Sequence, residues 1–181
     1  MNATATAAHR PAPLKGAPVA AEAAQYLTFQ LDGEVFALGI LAVKEIIGYG
    51  SLTSVPMMPE CIRGVINLRG AVVPVMDLSA RFGRASGAVT KKTCIVIVEV
   101  EADDARQDVG IIVDAVNAVQ DILPTDIEPP PAFGTRIRAD LIQGMAKVAG
   151  RFVILLDANH LWSTVLASAL SGELTKSAGA L

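Results

Sequence analysis

The second half of the chain resembles its first half at a nearly constant spacing. Residues 108–119 match residues 35–46 with an offset of 73 positions, and residues 141–157 match the stretch that begins at residue 61 with an offset of 80. The larger offset indicates an insertion in the loop after residues 129–131. Because both halves consist of short apolar runs rich in β-branched residues, the repeat predicts an all-β protein made of two small β-barrels packed together.

The stretch from Arg63 to Leu78, RGVINLRGAVVPVMDL, predicts a strand, a tight turn and a second strand. Apolar, largely β-branched residues lie on both sides of the pair Arg69-Gly70. Gly70 can adopt the positive φ that such a turn needs, because it has no Cβ. Arg69 is then displayed at a hairpin tip, where a charged side chain with five donors suits recognition. A plain solvated turn residue is the alternative interpretation of Arg69.

The order of segments divides the chain into a tail, two barrels and a helix. Residues 1–24, which are rich in Ala, Pro and Thr, predict a disordered tail. Asp32-Gly33 predicts a hairpin within the first barrel. We expect the first barrel over about residues 25–90, the second over about residues 91–157, a C-terminal helix over residues 158–170 and a flexible tail over residues 171–181.

Composition and charge argue against several classes of protein. The formal net charge of −3 does not indicate a cationic nucleic-acid surface. No apolar run approaches the roughly 18–20 residues needed to span a bilayer, and charged residues and prolines interrupt the N-terminus where a secretory signal would be apolar. Two cysteines, Cys61 and Cys94, do not make a disulfide framework. We therefore expect a soluble cytoplasmic protein.

Residues that could be catalytic or metal-binding have simpler interpretations. Asp77 and Asp157 are related by the repeat and precede helix-like segments, so helix capping is favoured over catalysis. Asp157 and His160 are three residues apart, but a third metal ligand is not evident. The glycines between residues 64 and 70 are not followed by the Lys-Ser/Thr of a phosphate-binding loop. We expect no metal and no cofactor.

The two halves differ in one respect that concerns function. Arg69 is matched by Ala149 in the second half, and Glu45 is matched by Ala118. The Gly, Val and Asp positions that the halves share are those that a duplicated fold needs. Because the charged pair is present in the first half only, we expect the functional surface there.

Five segments of the sequence resemble the CheW family, the coupling proteins of bacterial chemotaxis. They are YLTFQLDGEVFALGI, VKEIIGYGSLTSVP, GVINLRGAVVPVMDL, GIIVDAV and IEPPP, and the resemblance extends from about Gln25 to Leu166. It implies two five-stranded, SH3-like barrels joined around a hydrophobic core, with no enzymatic activity. It also implies two partners, the cytoplasmic tip of chemoreceptors and the homologous regulatory domain of the histidine kinase CheA.

Carried over residue by residue, the resemblance places Arg69, Glu45, Val43 and Gly64 at or near the receptor- and kinase-coupling surface. We expect Arg69 to pair with Glu45 within the protein, and the pair to shape this surface. Phe36 and Gly39 depart from the family, which often has Tyr at the first position and a polar or acidic residue at the second.

The resemblance also implies a groove between the barrels in which a receptor helix docks its apolar face. The candidates that line this groove are Ile40, Val43 and, from the second half, Val113 or Val116.

These observations lead to one main functional hypothesis and two alternatives. The main hypothesis is a non-enzymatic adaptor that couples chemoreceptors to a CheA-type kinase, located in the cytoplasm at receptor arrays and associated with the membrane only through receptors. The first alternative is the equivalent adaptor of a type IV pilus or surface-sensing pathway. The second is a barrel that binds a small ligand, or a hydrolase that uses the aspartates at strand ends.

Overall fold

The structure, a computed structural model, describes residues 22–130 and 141–167. Within these ranges the chain forms eleven strands, two complete 3-10 turns and two α-helices. The strands are β1 (Ala24–Leu31), β2 (Glu34–Gly39), β3 (Val43–Gly48), β4 (Ile62–Leu68), β5 (Ala71–Asp77), β6 (Cys94–Ala102), β7 (Ala105–Val113), β8 (Ala115–Ile122), β9 (Ile127–Glu128), β10 (Ile142–Val148) and β11 (Arg151–Leu156). The 3-10 turns are Ile40–Ala42 and Pro124–Asp126, α1 is Leu78–Arg81, and the described part of α2 covers residues 158–167.

The described ranges do not include every predicted segment. The tail predicted over residues 171–181, the insertion predicted after residues 129–131 and most of the tail predicted over residues 1–24 lie outside them. The predicted C-terminal helix begins at residue 158, and its last three predicted residues also lie outside the described part.

The strands form two sheets whose strand orders are equivalent under the sequence repeat. The five-stranded sheet has the order β3-β6-β7-β5-β4, and the six-stranded sheet has the order β8-β1-β2-β11-β10-β9. Each contains one parallel pair, β5 with β7 and β2 with β11. The registers of the two parallel pairs are also equivalent. Val75 lies opposite Gly110, and their equivalents in the repeat, Leu155 and Ala37, also lie opposite each other. The predicted all-β fold and its duplication are confirmed.

The division into a first barrel over residues 25–90 and a second over residues 91–157 does not match the sheets. The hairpin β1–β2 belongs to the sheet of β8, β10 and β11, and the hairpin β6–β7 belongs to the sheet of β3, β4 and β5. Each half therefore supplies one hairpin to the sheet that contains the other strands of the opposite half. The repeat identifies which segments are alike, but strand pairing is decided by long-range packing that a local pattern does not contain.

Burial explains why the strands of the two exchanged hairpins, β1, β2, β6 and β7, are so apolar. One cluster, which includes Val75 and Ile97, fills the five-stranded sheet, and another, which includes Ala37 and Leu155, fills the six-stranded sheet. A third and larger cluster lies between the sheets and takes residues from both. Strands β1, β2, β6 and β7 contribute to their own sheet's cluster on one face and to this shared core on the other. Strands buried on both faces need near-continuous apolar sequence.

The shared core contains stacked aromatic rings. Phe36 lies with its ring centroid 6.1 Å from that of Phe29 and 5.6 Å from that of Phe82. Phe29 and Phe36 are fully buried. Burial of such a side chain contributes about 1.5–3 kcal/mol, so the shared core binds the two sheets into one unit.

Both repeat-related aspartates cap helices, as predicted. The Asp77 carboxylate accepts hydrogen bonds from the backbone N–H of Ser79 and Ala80 at the start of α1. The Asp157 carboxylate accepts one from the backbone N–H of His160 in α2. No helix in the described ranges is both long enough and apolar enough to cross a membrane.

Candidate functional site

The turn between β4 and β5 displays Arg69. Arg69 has a φ of 53° and Gly70 a φ of 83°, which gives the two positive φ values of a tight hairpin turn. The Asn67 side chain accepts a hydrogen bond of 2.9 Å from the Gly70 N–H and fixes the turn. The Arg69 side chain is 76% exposed, so it is held beside the core and remains accessible to a partner.

Glu45 of β3 receives the Arg69 guanidinium in a two-point pairing. The Arg69 Nη1 and Nη2 atoms lie 2.9 Å and 2.8 Å from the two carboxylate oxygens of Glu45. The predicted pairing is therefore confirmed. Such parallel bonds fix the plane of both groups, which a single contact does not. Because β3 and β4 are at opposite ends of the sheet order, the pair joins the two edges of the five-stranded sheet.

Val43 and Ile40 lie shortly before Glu45 in the sequence and are both half-buried. Both pack against the shared core, which leaves part of each side chain at the surface. Leu41, in the same 3-10 turn as Ile40, is 99% exposed. Sequence reasoning missed Leu41, because the run from Leu41 to Ile47 fitted a helix and a strand equally well.

Gly64 is buried and acts through the backbone. Its φ is 154°, and a Cβ at this position would lie 2.5 Å from the backbone oxygen of Thr53. The close approach allows Thr53 to pair with Val65 beside β4. Packing of the segment before β4 therefore explains why this position is glycine, while the place of Gly64 near a coupling surface stays a prediction.

The groove candidates from the second half differ in burial. Val113 has no exposed surface and belongs to the shared core, so its prediction as a groove residue is wrong. It lies at the end of β7, one of the exchanged strands that are covered on both faces. Val116, on β8, is half-buried and packs against the edge of the same core.

The second half has an apolar counterpart of the charged pair. Ala149 takes the place of Arg69 in the β10–β11 turn and has a φ of 50°, close to that of Arg69. Ala118 takes the place of Glu45 on β8. The backbone geometry is thus repeated while the charges are not. The prediction that the functional surface lies in the first half is based on this difference in charge.

The other polar residues considered in the sequence have structural partners. The Asp77 carboxylate accepts hydrogen bonds from Arg63, at 3.2 Å, and from Ser86, at 2.6 Å, besides its capping bonds. His160 Nδ1 lies 3.7 Å from Asp157. No group of three metal-ligating side chains occurs in residues 22–130 and 141–167. Burial raises the pKa of the Cys61 thiol, which disfavours its reactive thiolate form.

Comparison with known proteins identifies relatives of one kind. The family model of the CheW-like domain matches residues 25–165. The chemotaxis protein CheW of Klebsiella aerogenes is 31% identical over 140 residues, which cover 77% of this chain and 82% of that protein. The chemotaxis protein CheW of Bacillus subtilis is 34% identical over 134 residues, which cover 74% of this chain and 83% of that protein.

A solved structure and a relative of another name agree with this result. Protein FrzA of Myxococcus xanthus is 30% identical over 108 residues, which cover 60% of this chain and 64% of that protein. The crystal structure of the scaffolding protein TtCheW from Thermoanaerobacter tengcongensis is similar, with a TM-score of 0.69, 35% sequence identity and coverage of 87% of this chain and 93% of that one. From its duplicated two-sheet fold and from these matches, the chain belongs to the family of CheW-like domains.

Proposed function

We propose that this protein is a non-enzymatic adaptor that couples chemoreceptors to a CheA-type histidine kinase in bacterial chemotaxis arrays. The observation that carries the proposal is the two-point pair of Arg69 and Glu45, displayed on a fold whose relatives are chemotaxis proteins named CheW. The array would place the protein in the cytoplasm, next to the membrane that holds the receptors.

An adaptor needs selective contacts and no bond chemistry. The surface around Arg69 and Glu45 offers an oriented guanidinium, and Ile40, Leu41 and Val43 offer apolar area just before Glu45 in the sequence. A buried apolar patch with a few anchor residues provides most of the affinity of an interface, while charges fix its orientation. We propose that an amphipathic receptor helix docks its apolar face on these side chains, in a groove that Val116 borders from β8.

The non-enzymatic assignment is supported by how the strand-end carboxylates are used. Asp77 is nearly buried and holds Arg63, Ser86 and the first amides of α1. Asp157 caps α2. These contacts give both carboxylates a structural role, which disfavours a hydrolase based on these two residues.

The proposal is tested by a pull-down with a receptor cytoplasmic fragment and CheA. We expect the wild-type protein to bind both, and Arg69→Ala and Glu45→Lys to bind at least one of them less by about tenfold, the effect of losing an interface anchor. Arg151→Ala is the matched control, because Arg151 is an exposed arginine beside the turn of the other hairpin. Wild-type affinity of Arg69→Ala for both partners would refute the role of the pair.

A second candidate belongs to the same class of protein, and the match to protein FrzA shows that not all relatives have the name CheW. The same surface would serve an adaptor of another signalling array, such as a type IV pilus or surface-sensing pathway. The two candidates differ only in their partners. A pull-down with receptors and kinases encoded in neighbouring genes separates them, because only the true partner set should require Arg69.

A further inference from the structure

A β-bulge in β3 lies between two residues of the proposed coupling surface. Val43 pairs with Val98 of β6, but Glu45 pairs with Ile97, the very next residue of β6, so Lys44 is an extra residue without a partner in the ladder. Residues two apart in a regular strand lie on the same face. Here the bulge puts them on different faces. Val43 lies opposite Val98, which belongs to the shared core, and Glu45 lies opposite Ile97, which belongs to the cluster of the five-stranded sheet. The bulge thus puts Glu45 on the face on which it meets Arg69.

The side chain of Lys44 is bound on the far side of the bulge. Its Nζ atom lies 3.0 Å and 3.2 Å from the two carboxylate oxygens of Asp108 and 3.5 Å from Glu99. Glu99 and Asp108 are direct cross-strand neighbours on β6 and β7, an arrangement in which like charges repel. Lys44 compensates Asp108, and it shares Glu99 with Arg106, whose Nη1 atom lies 3.3 Å from that carboxylate. The hydrogen bond to Asp108 raises the pKa of the lysine.

The second half contains the same bulge with a different support. On β8, Val116 pairs with Phe29 and Ala118 pairs with Thr28, so Asn117 is the extra residue. There the Thr28 hydroxyl donates a hydrogen bond of 2.9 Å to the Ala118 carbonyl and accepts one of 3.3 Å from the Ala118 N–H. The equivalent of Thr28 on β6 is Ile97, which has no hydroxyl. The bulge that carries Glu45 lacks this support and has the ion contacts of Lys44 in its place.

We propose that Lys44 is a positioning residue for the coupling surface: by binding Glu99 and Asp108 it holds the β3 bulge, and the bulge aims Glu45 at Arg69. This inference rests on the proposed adaptor function. It assigns to Lys44 no contact with a partner. Lys44 affects binding indirectly, because it sets the orientation of the Arg69 guanidinium. That orientation is already present in the protein without a partner.

The experiment combines a signal from the isolated protein with a binding measurement. Arg69 donates to Glu45 through its Nη atoms, so the Nη–Hη resonance of Arg69, assigned by its loss in Arg69→Ala, reports the ion pair by NMR without any partner. Lys44→Met should shift or broaden this resonance and weaken binding of the receptor fragment or CheA by about three- to tenfold. Lys44→Arg, which can still bind both carboxylates, should restore both readouts. In the Arg69→Ala background, Lys44→Met should add less than about a twofold loss.

Lys147→Met, on the exposed side of β10, is the matched control and should behave as wild type. A wild-type Arg69 resonance together with wild-type binding in Lys44→Met would overturn the proposal, as would failure of Lys44→Arg to restore the resonance. If the wild-type protein binds neither partner, the adaptor function fails, while the Arg69 resonance still decides whether Lys44 positions the pair.

Discussion

At the scale of single residues, one ion pair was predictable and its neighbours were not. Arg69 was found because turn chemistry is local, and its pairing with Glu45 followed from two charges that the second half lacks. Val113 was misassigned because its burial depends on which strands exchange between the halves. The contacts of Lys44 were not predictable for the same reason, since Glu99 and Asp108 lie on strands that the sequence does not pair with β3.

The pair of Arg69 and Glu45 should contribute little to stability. An exposed ion pair stabilises a fold by about 0–1 kcal/mol, even with good geometry. We therefore expect Arg69→Ala to lower the free energy of unfolding by about 1 kcal/mol or less, measured by urea denaturation with an unchanged slope. A loss of several kcal/mol would mean that Arg69 serves the fold rather than a partner.

Gly64 and Gly70 both have positive φ but differ in their surroundings. A Cβ at Gly64 would meet the Thr53 carbonyl, whereas a Cβ at Gly70 would meet nothing within 4 Å. We expect Gly70→Ala to cost about 1–2 kcal/mol from backbone strain alone, and Gly64→Ala to cost about 2–4 kcal/mol because overpacking is added. Chemical denaturation of the two variants side by side measures the difference. Equal costs would show that the contact with Thr53 is easily relieved.

At the scale of elements, the sequence predicted hairpins, caps and turns but not bulges. The turn pairs and the two capping aspartates have local signatures, and the structure confirms them. A bulge is one extra residue whose place depends on the partner strand, so the pattern of β3 alone did not reveal it. The repeated bulge in β8 shows that it belongs to the duplicated fold.

Thr28 should be needed for the bulge in β8. Its hydroxyl is nearly buried and serves both the N–H and the carbonyl of Ala118. Thr28→Val keeps the shape but leaves these backbone groups without that partner, so we expect a loss of about 1–3 kcal/mol in the free energy of unfolding. Thr28→Ser retains the hydroxyl and should lose less. The reverse order of the two variants would contradict this role of the hydroxyl.

At the scale of the whole molecule, the exchange of hairpins makes the two halves interdependent. Each sheet takes strands from both sides of the polar connection that ends near residue 90. Neither half contains a complete sheet. The composition and the repeat indicated a duplicated all-β protein, but they fitted separate barrels equally well, because pairing between distant strands leaves no local signature.

Fragments 1–90 and 91–181 should therefore fold only together. An isolated hairpin or an incomplete sheet is at best marginally stable in water. We expect each fragment alone to lack a cooperative thermal transition by circular dichroism, and the equimolar mixture to regain one. A cooperative transition in either fragment as a monomer, shown by sedimentation, would contradict the exchanged topology.

The central claim is that partners hold the protein by the oriented pair of Arg69 and Glu45. The most direct measurement is the CheA autophosphorylation rate with a receptor fragment and wild-type protein, Arg69→Ala, Arg69→Glu, or the charge exchange Arg69→Glu with Glu45→Arg. We expect stimulation by the wild type and a loss of about tenfold or more in Arg69→Ala and Arg69→Glu. The charge exchange should not restore stimulation, because the partners contact a guanidinium at position 69, and the exchange moves it to position 45. Full stimulation by Arg69→Ala would contradict the claim.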